Sequence, residues 1–137
     1  MKTDEFIAKV QRRAVLDSQE EAMLAIGATL ATLAERLAGG EAKDLASQLP
    51  PEIGVFLLQP YAGIGDPFGL EEFFRLVSER AGIGMQNASL QARVVIGVLC
   101  EAVSMGEIEN VRSQLPQDIR QLFMVEYEGD LPEVPEV

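Results

Sequence analysis

The sequence predicts an all-α protein, a compact bundle of about eight helices built from two tandem four-helix repeats related by pseudo-two-fold symmetry. Three observations predict this fold class. A displacement of 66 residues aligns the letters SQLP at 47–50 with the same letters at 113–116. Apolar residues recur at the three- and four-residue spacing of a helix face in both copies. Glycine and proline separate these stretches, as they do where helices end.

The first copy, residues 3–58, opens with a helix of this spacing. Thr3 or Asp4 is expected to cap its start, because a short oxygen-bearing side chain can accept a bond from a free backbone N–H there. A turn at residues 16–17 is expected to end this helix.

The second helix of the first copy is predicted to be long. Ser18 and Glu21 match the Ser-x-x-Glu capping box at its start. Gly39 and Gly40 are expected to stop it, because glycine adopts the left-handed conformation that ends many helices. Its apolar stripe consists of Met23, Ile26, Leu30, Leu33 and Leu37.

Two short helices complete the first copy. One is expected to begin at Glu41 and to end before Pro50, because the residue preceding a proline avoids the helical region. Pro51 suits the first turn of the other, which is predicted to run to about Leu58.

The second copy, residues 70–125, repeats this plan, with a displacement of 67 near its start and 66 after its first turn. A break at Met105-Gly106 is expected between its long and short helices. The segment RVVIGVLC at 93–100 has the β-branched residues of a buried strand. Its counterpart at 27–34 has a helical pattern, so both segments are predicted to be helices.

The whole chain, 1–137, is predicted to be one domain. Residues 59–69 are rich in glycine and proline and form a linker, which is expected to pack across both halves through Tyr61, Ile64 and Phe68. Residues 126–137 form an acidic, proline-containing tail that is expected to be extended or disordered.

Charge and composition exclude several function classes. The net charge is −11, and the last thirteen residues hold five acids and no base. No basic stripe is present to neutralise phosphates, so neither nucleic acid nor an anionic membrane is an expected partner. The longest apolar run is far too short to cross a bilayer. A single cysteine, Cys100, and a start without an apolar signal region favour a cytoplasmic protein.

Four segments of the two copies are DEFIAKVQRRA, LATLAERLAGGEAKDLASQLPPEI, EEFFRLVSERAGI and LCEAVSMGEIENVRSQLPQDI. Together they resemble a bacterial family of uncharacterised conserved proteins known as domain of unknown function 2267. The resemblance covers nearly all of the chain except the linker and tail. It implies an all-α fold built from the repeated unit, with no established activity. The second copy departs from the pattern at Met105 and Asn110, which suggests that its short helix starts differently.

No catalytic, cofactor or metal site is predicted. The chain has no histidine, which excludes Ser–His and Cys–His nucleophile pairs and imidazole ligation of a metal. Cys100 is interpreted as a small buried filler of an apolar helix. Glu41 and Asp44, with Glu107 and Glu109, are the acids best placed for acid–base chemistry. Because acids in the first turn of a helix stabilise it, a structural role is favoured, and an oxygen-only cation site lacks the spacing of calcium loops.

Four ionic residues recur in both copies. Arg13 and Arg80 occupy one position, and Glu35 and Glu101 occupy another. We expect an arginine–carboxylate link between the first and second helix within each copy. The alternative is that the arginines bind an anionic ligand.

The two long helices differ on one face. Thr29 and Thr32 of the first lie off its apolar stripe, whereas their counterparts Val95 and Val98 are apolar. A helix that is apolar nearly all round is buried on more than one side. Val95 and Val98 are therefore expected to pack between the halves, with a homodimer surface as the alternative.

These features favour a non-enzymatic helical interaction or scaffold module of unknown biochemical activity, with a protein partner or a second copy as its binding partner. The alternative is a regulatory protein that binds a small ligand or a cation at the seam between the two repeats. An enzyme ranks third, since no nucleophile–base pair is present.

Overall fold

The computed structural model describes residues 1–123, which form eight α-helices. The last predicted residues of the second copy and the acidic tail, 126–137, lie outside the described residues. The helices are α1 (Thr3–Arg13), α2 (Gln19–Arg36), α3 (Glu41–Ala46), α4 (Pro51–Gly54), α5 (Leu70–Ala81), α6 (Met85–Ala102), α7 (Met105–Arg112) and α8 (Gln117–Arg120).

The order of the elements recurs along the chain. In each half a helix of 11 or 12 residues precedes one of 18 residues, and two short helices follow. Each last short helix continues into a 3₁₀ turn, Val55–Leu57 in the first half and Gln121–Phe123 in the second. The all-α prediction is confirmed, including the helix at 93–100, while the pseudo-two-fold relation between the halves stays a prediction.

The predicted helix starts are correct in one case and wrong in another. The hydroxyl of Ser18 accepts a bond from the Glu21 N–H at 3.1 Å, and the Glu21 carboxylate accepts one from the Asp17 N–H at 3.0 Å. At α1, however, the residue at the cap position is Lys2, and no side chain caps it. The Thr3 hydroxyl instead donates to Glu52 at 2.9 Å, which links α1 to α4.

The predicted stop at the two glycines is also wrong, because α2 ends at Arg36. Leu37 leaves the helix with an extended backbone (φ −83°, ψ 147°), and its side chain is fully buried. Gly39 does have positive φ, 64°, but it lies beyond the helix, where its N–H donates to the Gly63 carbonyl of the linker at 3.2 Å. Burial of Leu37 therefore ends α2 earlier than glycine chemistry predicts.

The second copy shows the different start that its sequence suggests. Met105 and Gly106 do not form a break; they are the first residues of α7. Ser104 caps this helix, with its hydroxyl accepting from the Glu107 N–H at 3.2 Å. As a result α7 has 8 residues where α3 has 6.

The long helices α2 and α6 pack against each other at the centre, and α1 and α5 each pack against both. Val95 and Val98 on α6 are fully buried in this core. Thr29 and Thr32 on α2 are fully buried too, although their polarity placed them off the apolar stripe. Both long helices are thus enclosed on several sides, which requires apolar or internally bonded side chains there.

The linker packs across the two halves through aromatic rings. The guanidinium of Arg80 lies 5.4 Å from the Tyr61 ring centre, and that of Arg36 lies 5.9 Å from the Phe68 ring centre. Arg36 also donates to the Phe68 carbonyl at 2.7 Å. Ile64, in contrast, is exposed, so only two of the three expected linker residues pack inward.

The two buried threonines of α2 provide a matched test of the core. Thr29 has no hydrogen-bond partner, whereas Thr32 donates to the Ala28 carbonyl at 2.8 Å and accepts from Arg80 at 2.9 Å. An unpaired buried hydroxyl costs about 1–3 kcal/mol. We expect Thr29→Val to raise the free energy of unfolding by about 1 kcal/mol and Thr32→Val to lower it by about 1–2 kcal/mol. Urea unfolding measures both, and equal effects of the two changes would contradict the assignment.

Candidate functional site

The four ionic residues predicted to link helices within each copy instead link the two copies. Arg13 on α1 pairs with Glu101 on α6, and Arg80 on α5 pairs with Glu35 on α2. The expectation of pairs within a copy is therefore wrong. The reason lies in the packing: each shorter helix lies against both long helices, and the carboxylate that its arginine meets belongs to the other copy's helix.

The first pair involves two basic residues. Arg13 donates through Nη1 to one oxygen of Glu101 at 2.6 Å and through Nη2 to the other at 3.3 Å, and Lys9 donates to the same carboxylate at 3.0 Å. Burial raises the pKa of Glu101, but the hydrogen bonds from Arg13 and Lys9 outweigh it, so the pKa lies below its ordinary value. This link is therefore fully present above the ordinary glutamate pKa and is lost as the pH falls through the lower value.

The second pair uses a hydroxyl in place of a second cation. Arg80 donates through Nη2 to Glu35 at 2.7 Å and through Nη1 to the buried Thr32 hydroxyl at 2.9 Å. The position of Thr32 is taken in the second copy by Val98, which cannot accept a hydrogen bond. The two links are thus equivalent in position but not in chemistry.

A second set of exchanged contacts was missed by sequence reasoning. The Gln48 side chain accepts from the Ser104 N–H, and the Gln114 side chain accepts from the Ala38 N–H, both at 2.8 Å. The two glutamines are the Q of the repeated SQLP, and the two amides they bind are also 66 residues apart. The repeated glutamine was visible in the sequence, but periodicity does not show which backbone amide its side chain will bind.

One pair of acids departs from ordinary first-turn carboxylates. Glu41 on α3 and Glu107 on α7 lie where these two short helices pack together, and within residues 1–123 each has one buried oxygen, Oε2, without a hydrogen-bond partner. Burial, followed by the contact with Glu41 and the charge of Asp44, raises the pKa of Glu107 to about 7. Glu109, by contrast, is exposed and lies 3.7 Å from Arg112. The expected first-turn position holds for Glu41, Asp44 and Glu107 but not for Glu109. The burial of the Glu41–Glu107 pair is a further feature that stabilisation of a helix start does not explain.

Other candidate chemistry is weak in the described part of the chain. Within residues 1–123 no group of three or more acidic or cysteine side chains is arranged to hold a metal ion. A shallow cleft of about 570 Å³ lies at the start of α5, where Asp118 accepts from the Leu70 N–H at 2.9 Å. Burial raises the pKa of Cys100 to about 12, so its thiol is protonated at neutral pH.

The turn between α1 and α2 holds an unexpected residue. Val15 has φ of 55°, in the left-handed region, and its side chain is 84% exposed. Its counterpart at the end of α5 is Gly82, with φ of 71°. In both turns the N–H of the following residue donates to the carbonyl five positions earlier, from Leu16 to Gln11 and from Ile83 to Ser78. The two turns share this backbone hydrogen bond.

A β-branched residue is unfavourable in this conformation, whereas glycine is not. The signal in the sequence was the valine at a position where the other copy has glycine. The exposed, strained Val15 is therefore the feature of the first copy that packing and capping do not explain.

No helix formed by residues 1–123 combines the length and apolar character needed to cross a membrane.

A pair of double-mutant cycles tests the exchanged ion pairs. We expect Arg13→Met and Glu101→Gln to couple by about 1–2 kcal/mol, because both side chains are mostly buried and directly bonded. The effects of Arg13→Met and Glu35→Gln on the free energy of unfolding should add within about 0.5 kcal/mol, since these residues belong to different ion pairs. Urea unfolding of the single and double variants supplies the energies. Coupling of Arg13 to Glu35 rather than to Glu101 would contradict the exchange.

The chain matches a known protein family over most of its length. Residues 3–122 match the family model described as "Uncharacterized conserved protein (DUF2267)". A search of curated proteins finds none that matches the sequence.

Proposed function

The chain belongs to the DUF2267 family of uncharacterized conserved proteins, and we propose that it is a non-enzymatic helical interaction module that binds a protein partner through the outer surface of its first copy. The observation that carries this proposal is Val15. A large apolar side chain held in the solvent on a strained backbone contributes nothing to the packing of the isolated chain. Such strain is found preferentially where a residue serves binding.

The strain at Val15 is avoidable, because the second copy avoids it. Gly82 forms the same turn without the penalty of about 1–2 kcal/mol that a side chain incurs in the left-handed region. The N–H of Val15 donates to the Arg12 carbonyl and that of Gly82 to the Ser78 carbonyl, and neither bond involves a side chain that would require valine. A gain outside the folded chain itself, such as contact with a partner, accounts for its presence.

Other exposed apolar residues lie on the same copy. The ring of Phe56 packs against Gly27 of α2 so closely that an added Cβ would lie 2.9 Å from it. Leu24 is one helical turn before Gly27 and is exposed, as are Val55 and Leu58 beside the ring. Burying several such side chains against a partner supplies the hydrophobic stabilisation that protein interfaces use.

The second copy is more polar at the comparable position. The counterpart of Val55 is Gln121, which is exposed. The second copy also exposes apolar side chains, Met85 and Met105, so the preference for the first copy rests on Val15 together with this difference at Val55.

The chemistry of the chain supports a non-catalytic role. The sequence contains no histidine, and the thiol of Cys100 has its pKa raised to about 12. The ionic residues Arg13, Arg80, Glu35 and Glu101 pair with one another across the copies. We also propose a cytoplasmic location, which rests on the single cysteine of the sequence.

Exchanging the turn residues tests the strain. We expect Gly82→Val to lower the free energy of unfolding by about 1–2 kcal/mol, because a Cβ there meets open space and only the backbone conformation opposes it. Val15→Gly should leave stability unchanged or raise it by up to about 1 kcal/mol, since relief of strain exceeds the added freedom of the unfolded chain. Thermal and urea unfolding measure both; a clear loss of stability in Val15→Gly would show that valine supports the fold itself.

Binding is tested with a matched pair of aspartate variants at the two turns. We expect the tagged wild-type chain to retain one defined protein from an extract of its native cells in stoichiometric amount. Val15→Asp should reduce that retention at least about tenfold, because a charge enters an apolar contact, whereas Gly82→Asp should not change it. Aspartate tolerates the left-handed region, so both variants are expected to fold. Equal retention by all three chains, or turnover of a small molecule by the wild type, would overturn the proposal.

A further inference from the structure

The short helices α3 and α7 meet through two acids at equivalent positions of the two copies. Glu41 is the first residue of α3 and Glu107 is the third residue of α7. The two helices pack against each other, the Glu41 carboxyl acts directly on that of Glu107, and Glu107 is only 8% exposed. In each carboxyl group Oε2 is buried and has no hydrogen-bond partner.

Two ionised carboxylates are not stable in this arrangement. Like charges in contact repel strongly where water is excluded, and a buried unpaired charge adds a desolvation penalty. A single proton held between the two groups removes both penalties, because one carboxyl group then donates to the other. Two carboxyl groups in contact therefore titrate as a pair rather than separately.

The charged groups around the pair favour retention of this proton. From α3, Asp44 adds a further negative charge that acts on Glu107. Lys43 of the same helix is exposed, and on α7 the exposed Glu109 lies 3.7 Å from Arg112. Neither cation forms a bond or ion pair with the pair of acids among the described contacts.

We propose that Glu41 and Glu107 share one proton and form a latch between α3 and α7, which is closed while the proton is bound and loosened when the proton is lost. Helices of 6 and 8 residues do not persist without tertiary contacts, so this junction acts on their order together with their buried apolar residues, Leu45 on α3 and Ile108 and Val111 on α7. The long helices have their own core and stay packed when the latch loosens. The response is therefore local.

The geometry also indicates a proton rather than a metal ion as the bound species. Within residues 1–123 no third acidic or cysteine ligand joins them in a metal-binding arrangement.

The direction of the pH dependence follows from the raised pKa. The pKa of Glu107 is raised from 4.5 to about 7 by burial and then by Glu41 and Asp44, so the folded chain holds this proton where the unfolded chain has lost it. The stability contributed by the latch is complete below the unfolded pKa and declines as the pH rises through the folded one. The latch is thus closed in mild acid and loosened above neutrality, opposite to the Arg13–Glu101 link.

Amide hydrogen exchange of the full chain tests the latch. Exchange rates at about pH 6 and about pH 8.5 are divided by the intrinsic chemical rates, which leaves protection as the measured quantity. We expect protection of α3 and α7 to be about tenfold lower at the higher pH, while α2 and α6 keep theirs. In Glu107→Gln the amide donates to Glu41 permanently, so protection should not depend on pH. Glu41→Gln serves as a second variant with the same expected result.

Glu109→Gln is the matched control, because Glu109 is exposed on the same helix. It should show the pH response of the wild type. Equal protection of α3 and α7 in the wild type at both pH values would overturn the latch. The same measurement with millimolar Mg²⁺ or Ca²⁺ at the higher pH completes the test. Protection raised by the ion in the wild type to its value at about pH 6, with no effect of the ion on Glu107→Gln, would overturn the proton latch and identify the pair as a cation site.

Discussion

The burial of the two long helices from several sides at once is the constraint on which the rest of the structure depends. α2 and α6 pack against each other. Their fully buried residues are not confined to one apolar stripe of the helix, since Thr29 and Val98 are buried as well. A helix of this kind has to be covered by more than one neighbour. Two shorter helices supply the cover, and because each lies against both long helices, neither copy can form its core without the other.

The exchanged polar contacts follow from that packing. An arginine on each shorter helix reaches a carboxylate on the long helix of the other copy, and a glutamine of each copy caps a backbone amide of the other. Mostly buried arginine pairs of this kind contribute little net stability relative to apolar packing, but an arginine left without its acid is costly. Their effect is to fix the relative position of the copies more than to hold them together.

Two positions distinguish the copies beyond their shared contacts. Valine replaces glycine in one strained turn, and threonine replaces valine beneath one ion pair. The α3–α7 junction is a different kind of feature, because its two acids occupy equivalent positions. The turn projects an apolar group into solvent, whereas the acid pair is enclosed between short helices. The proposed partner surface and the proposed proton-responsive junction therefore rest on separate features.

The sequence by itself determined the helices, their order and several of their starts, such as the Ser18 cap of α2 and the starts at Glu41 and Pro51, because apolar spacing and capping depend on residues only three or four positions apart. It also identified Arg13, Arg80, Glu35 and Glu101 as equivalent pairs. Only the tertiary structure decided their partners, since residues about 90 positions apart in the chain, such as Arg13 and Glu101, meet through packing that no local period encodes. The early end of α2 and the unpaired oxygens of Glu41 and Glu107 have the same origin. Whether a residue is buried depends on all the elements that pack around it, whereas a periodic sequence pattern shows only which residues share one face of a helix.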